Sequence, residues 1–84
     1  MESNTTMFDV NDLADLRCEE ILTSVYDSLE ERGYNPINQL TGYLMSGDPG
    51  YISNHKEARS KICSIERDKI IVFLLKKALN KWDI

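Results

Sequence analysis

The stretch Gly33-Tyr34-Asn35-Pro36-Ile37-Asn38-Gln39-Leu40-Thr41-Gly42-Tyr43-Leu44-Met45-Ser46-Gly47-Asp48-Pro49-Gly50-Tyr51-Ile52 decides the fold of this chain. It holds all four glycines and both prolines of the 84 residues, and it stands between two longer patterns with helical spacing. Gly33 follows an amphipathic run and suits the left-handed position just past a helix end. Asn35 then Pro36 is a start signal, an amide to cap free N–H groups followed by a ring with φ preset for the first turn. Ile37, Leu40 and Leu44, with Tyr43 beside them, give the short helix that follows one apolar face. Gly47 ends it, and Asp48-Pro49 repeats the cap-and-proline signal, predicting a second reversal or a single turn that finishes near Ile52. Asn38 and Gln39 add polar side chains to the same turns. Gly42 stands out, because glycine inside a helix costs about 1 kcal/mol against alanine. Close approach of another backbone is the expected compensation, with Ser46 as a second small residue on that face.

Working outward toward the N-terminus, Cys18, Ile21, Leu22, Val25 and Leu29 form a stripe at three-four spacing that Leu13 and Leu16 extend. Glu19, Glu20, Asp27 and Glu30 fall on the opposite side. The pattern predicts a helix from Asn11 or Asp12 to about Arg32, with Asp15 near its positive end. Residues 1–10 show no helical period and are expected to be a flexible arm, leaving 11–84 as a single helical domain. On the C-terminal side, Ser53 or Asn54 is placed to cap a helix carrying Ala58, Ile62 and Ile65. Glu66-Arg67-Asp68-Lys69 then interrupts the stripe, and a break with Asp68 as the new cap is the favoured reading. From Lys69 to about Trp82 the expected stripe is Ile71, Leu74, Leu75, Ala78 and Trp82, while Val72 and Phe73 spill onto other faces. So wide an apolar surface exceeds what one small core covers and points to a second copy, with Val72 and Phe73 as interface candidates. The expected fold is all-α, a compact bundle of four or five short helices, intertwined or packed as a homodimer.

Composition narrows the function. A hydrophobic content of 42% with 29% charged residues is ordinary for a folded domain. The net charge of −4 argues against a phosphate-backbone binder. A helix-turn-helix reader is the alternative to weigh, because His55, Lys56, Arg59, Lys61 and Arg67 are able to share one basic face; Glu57, Glu66 and the overall acidity oppose it. Cys18 and Cys63 lie among apolar neighbours and are expected to be reduced and buried. No Cys/His spacing resembles a zinc site, no glycine loop fits a phosphate cradle, and the lone His55 is expected to be structural. No catalytic residue, metal or cofactor is therefore assigned. The polar turn, through Asn35, Asn38, Gln39 and Asp48, is a third option as a ligand site, although capping accounts for most of these groups. Neither a signal peptide nor membrane insertion is expected, since the run Ile70 to Leu75 is too short to span a bilayer, and the expected location is cytoplasmic.

The residues also carry a family resemblance. Val25-Tyr26, Ser28-Leu29-Glu30-Glu31, Gly33 through Gln39, Gly42-Tyr43-Leu44, Ser46-Gly47-Asp48-Pro49, Tyr51-Ile52, His55, Ala58-Arg59 and Glu66-Arg67-Asp68 closely resemble the IreB family of small regulatory phosphoproteins from low-GC Gram-positive bacteria. The resemblance implies a cytoplasmic, all-helical homodimer with a flexible N-terminal arm and no enzymatic activity. It further implies that the chain is a substrate of a membrane Ser/Thr kinase with extracellular peptidoglycan-sensing repeats, and of the cognate phosphatase. That circuit influences the cell-envelope stress response and resistance to cell-wall antibiotics, through a downstream effector the sequence does not name. Thr6, followed by Met7 and Phe8, matches the family's acceptor pattern, with Thr5 adjacent. Val72-Phe73 stands where relatives commonly carry acidic residues. A phosphate at Thr6 adds about −1.5 to −2 charge, which would either dock the arm on Arg17, Arg59 or Arg67 or repel it from an acidic surface.

Overall fold

The chain folds, in a computed structural model that describes residues 10–81, into helices alone. Four α-helices follow in order: α1 (Val10–Glu31), α2 (Pro36–Ser46), α3 (Ala58–Cys63) and α4 (Arg67–Leu79). Two 3-10 turns, Pro49–Tyr51 and His55–Glu57, lie between α2 and α3. No strand occurs among the described residues. Thr5, Thr6 and Trp82 lie outside them, as does nearly all of the arm expected over 1–10.

Helix α1 begins at Val10, slightly ahead of the expected Asn11 or Asp12, and packs against α2, α3 and α4. Its stripe buries Cys18, Val25 and Leu29 and partly buries Ile21 and Leu22. Leu13 and Leu16 were expected to extend that stripe, yet both are exposed. With 22 residues, α1 is about 33 Å long, whereas the six-residue α3 spans about 9 Å. The early turns of α1 outrun the elements available to cover them. At the other end the Gly33 N–H donates to the Glu30 carbonyl at 2.9 Å and the Tyr34 N–H to that of Leu29 at 3.1 Å. With Gly33 at φ +80°, this double closure satisfies carbonyls that the helix end leaves open.

The central turns form as their residues dictate. The Asn35 side chain accepts from the Asn38 N–H at 3.1 Å, Pro36 occupies the first turn, and the Gly47 N–H closes α2 on the Tyr43 carbonyl at 2.7 Å. Asp48 then caps the Pro49–Tyr51 turn by accepting from the Gly50 N–H at 2.8 Å. Gly42 differs from expectation in its partner. A Cβ there would fall within 3.0 Å of the Tyr51 ring, so the glycine makes room for an aromatic side chain folded back by the next turn, and no second backbone is involved. Ser46 serves the turn, its hydroxyl donating to the Gly42 carbonyl at 2.7 Å and accepting from the Asp48 N–H at 3.0 Å. Ile37, expected on the apolar face, is 61% exposed, because α1 covers only the side that carries Leu40, Tyr43 and Leu44.

The third helix is shorter than its pattern. The Ser53 hydroxyl accepts from the His55 N–H at 3.4 Å, but Lys56 and Glu57 then take left-handed conformations, with φ of 52° and 62°. A continuous helix from Asn54 is thereby cut to Ala58–Cys63. Side chains hold this kink: Glu31 at the end of α1 lies 2.9 Å from His55 Nε2 and 3.0 Å from Lys56 Nζ. Left-handed backbone costs a residue with a Cβ about 1–2 kcal/mol. Glu57 has no side-chain partner among the described residues, so Glu57→Gly is expected to stabilise the protein by about 0.5–1 kcal/mol once the extra chain entropy of glycine is deducted. Thermal melts of Glu57→Gly beside Glu57→Ala check this; an unchanged or lower melting temperature for the glycine variant would contradict it.

The expected break before α4 is present. Its N-cap is Glu66 in extended conformation, with Asp68 inside the first turn rather than at the cap. The helix ends at Leu79 with Asn80 left-handed. Its buried face is a correction: Ile70 and Phe73 enter the core and Lys76 follows them, while Ile71, Leu74, Leu75 and Ala78 are exposed. Six consecutive apolar residues cover every side of this helix, so spacing alone does not choose a face. The choice falls to α1, whose Asp15 takes the Lys76 ammonium at 3.0 Å and turns the 70-73-76 line inward. The core that results joins Cys18, Val25, Leu29, Tyr43, Ile52, Ala58, Ile62, Ile70 and Phe73.

Candidate functional site

The polar groups of the central turns are engaged in building the scaffold. Asn35 and Asp48 act as caps, and Gln39 Oε1 accepts from the Ser53 N–H at 3.0 Å, tying α2 to the segment before the His55–Glu57 turn. Two arginines complete the arrangement. Arg59 Nε donates to the Pro49 carbonyl at 3.1 Å and the Ile52 carbonyl at 2.9 Å, and Arg67 donates to the Leu44 carbonyl at 3.0 Å. Arg67 satisfies a carbonyl that the end of α2 leaves open, and Arg59 adds a second donor to the Pro49 carbonyl and binds that of Ile52, the residue that closes the 3-10 turn. Asn38 contributes its backbone N–H to the cap, and its side chain is exposed.

The same accounting bears on the basic face weighed from the sequence. His55 and Lys56 face Glu31, Lys61 donates to the Ser24 hydroxyl at 2.8 Å, and Arg59 and Arg67 bind carbonyls. Arg17 lies 3.3 Å from the Ser64 hydroxyl. The residues able to make a basic stripe are turned toward different parts of their own fold, and α3 is too short to present a recognition helix several turns long. The structure therefore does not assemble the helix-turn-helix surface.

The Glu31 cluster has a readable charge balance. Hydrogen bonds from His55 and then Lys56 hold the Glu31 carboxyl below its ordinary value. Its contribution to stability is present above the unfolded carboxylate range and is lost as pH falls through the lowered folded value. Burial, followed by the charge of Asp15, pushes the Cys18 thiol up to about 11, so this cysteine stays protonated and inert at neutral pH. Cys63 departs from expectation and is exposed, adjoining the Tyr43 hydroxyl, whose ionisation burial and this thiol both push up. Sequence reading missed the Glu31 clasp and the Asp15–Lys76 pair, because their partners lie 24 and 61 residues apart and no local spacing marks them.

One surface open to a partner lies on α4 and beside it. Ile71, Val72, Leu75 and Leu79 are exposed, and Leu74 borders an apolar groove of about 390 Å³ that Leu22, Tyr26, Ile37 and Leu40 also line. Of the two interface candidates, Val72 is on this surface, whereas Phe73 is 5% exposed and belongs to the core. The threonines expected to accept phosphate, Thr5 and Thr6, fall outside the described residues. No helix among the described residues is long and apolar enough to cross a membrane. In comparison with known proteins, a family model described as IreB regulatory phosphoprotein matches residues 3–80, a span that includes both threonines and every element of the fold.

Proposed function

We propose that this chain, which belongs to the IreB family of regulatory phosphoproteins, acts in the cytoplasm without catalysis of its own, as a substrate of a membrane Ser/Thr kinase and its phosphatase. The observation that carries the reading is the extent of the family match. It starts at residue 3, ahead of Thr5 and Thr6, so the segment with the acceptor pattern belongs to the family unit together with the helical domain. Phosphate on Thr6 makes an already acidic protein more so. Since Arg59 and Arg67 are committed to backbone carbonyls, repulsion of the arm from an acidic surface is better supported than docking on those two arginines. The output is a changed affinity for a downstream effector in the cell-envelope stress response and in resistance to cell-wall antibiotics.

The reading includes a homodimer. Its support is the surface of α4, where Leu75 is 54% and Leu79 is 63% exposed, with Val72 alongside; a helix this apolar on its outer side calls for a cover. Incubation with the cognate kinase followed by mass spectrometry is expected to place phosphate on Thr6 or Thr5 and to find none in the Thr5→Ala/Thr6→Ala variant. Undiminished labelling of that variant would sink the proposal. Sedimentation of the same samples reads the dimer directly.

A further inference from the structure

We infer that the groove between α1 and the segment carrying Lys56 and Lys61 is a docking site for a basic amphipathic helix of a partner protein, read by Glu20, Asp27 and the buried hydroxyl of Ser28. The groove has a volume of about 860 Å³ and runs along one side of α1. Two of its carboxylates are already matched, Glu31 by His55 and Lys56 and Glu19 by Lys77 at 3.3 Å. Glu20 and Asp27 have no partner among the described residues. Independently of that charge, Ser28 is 5% exposed and lines the groove, yet its hydroxyl has no hydrogen-bond partner among the described residues. The neighbouring Ser24, by contrast, accepts from Lys61 at 2.8 Å. A buried hydroxyl without a partner is unfavourable, and an incoming donor that reaches it removes the penalty.

Spacing identifies the occupant. Glu20 and Asp27 are two helical turns apart and share a face, about 10 Å from each other along the axis. Cations seven residues apart on a partner helix have the same separation, whereas an extended strand repeats on one face at about 7 or 13 Å. Between the two carboxylates lies Thr23, a small exposed side chain that lets a second helix approach closely, beside Ser24, which already holds the Lys61 ammonium. Lysine suits the site better than arginine, because its slender stem carries a compact ammonium able to bridge the Asp27 carboxylate and the Ser28 hydroxyl. The site is independent of phosphorylation at Thr5 or Thr6, so either reading stands if the other fails.

The test uses the full chain and a conformationally locked, alanine-rich helical peptide bearing two lysines seven residues apart, followed by fluorescence anisotropy at physiological salt. Affinity is expected to fall about tenfold in Glu20→Gln/Asp27→Asn, and about tenfold for a peptide of the same composition with its lysines on different faces. Ser28→Ala is expected to weaken binding severalfold, and Glu66→Gln, at the start of α4 and outside the groove, to leave it unchanged. Equal affinity for the two peptides, or for the double variant and the wild type, would reduce the effect to general attraction by an acidic protein and overturn the site. Amide shift changes confined to another face, or self-association that shields α1 from the peptide, would overturn it as well.

Discussion

Replacing Leu29 by alanine is expected to lower the melting temperature by roughly 10–20 °C, the largest change that a single apolar truncation in α1 produces. Leu29 is fully buried, and it lies in the last turn of α1, its carbonyl taking the Tyr34 N–H where the chain leaves the helix. Truncating a buried leucine removes about 2–5 kcal/mol, because transfer energy is lost and the cavity left behind collapses only in part. A domain of this size holds about 5–10 kcal/mol in all, so the variant sits near the edge of folding at growth temperature. Leu16→Ala is the matched control. It changes the same residue type on the same stripe, but Leu16 is 47% exposed and its loss is expected to shift the transition by only a few degrees. Circular dichroism melts of the two variants at one protein concentration decide the matter; equal shifts would mean that the core does not end where the structure places it.

Asp15→Ala is expected to destabilise by about 2–3 kcal/mol, far more than removal of an ordinary surface carboxylate. The Lys76 side chain is 9% exposed and that of Asp15 22%, so deleting the aspartate removes a carboxylate that lies 3.0 Å from a mostly buried ammonium. The converse change, Lys76→Met, is expected to cost less, because Asp15 retains access to water and the methionine keeps the apolar stem in place. In the double variant Asp15→Ala/Lys76→Met much of the loss is expected to return, because the buried ammonium is removed together with the carboxylate. Denaturant unfolding of the four proteins in a double-mutant cycle measures the coupling. A coupling near zero would show that the pair does not tie the start of α1 to α4. The consequence reaches the outer surface, because this pair faces Ile70 and Phe73 inward and leaves Ile71, Leu75 and Leu79 outside.

The arrangement of α1 and α2 was legible because its signals act over a few residues. Gly33, Asn35 with Pro36, Gly47 and Asp48 with Pro49 each do in the structure what their chemistry allows within one turn. The fate of Cys63, Ile37 and Phe73 was not legible. All three are apolar residues at plausible core positions, and nothing in their spacing says which side of a short helix meets a neighbour. The candidate docking groove was equally hidden. Glu20 and Asp27 look like any solvated acidic face, and only the loss of solvent at Ser28 separates that face from the rest.

The sequence by itself determined the all-helical class, the ends of α1 and α2 to within about two residues and the family, because caps, glycines, prolines and short motifs are local. Tertiary structure alone decided which side of α4 is buried, how the expected third helix is shortened by left-handed Lys56 and Glu57, and why Gly42 is a glycine. Each of those outcomes is set by a distant side chain, Asp15, Glu31 or Tyr51, whose contribution exceeds the small local preference it overrides. The stretch from Gly33 to Ile52 shows both at once: its turns follow from its own residues, and its one anomalous glycine is explained by the aromatic ring that those turns fold back upon it.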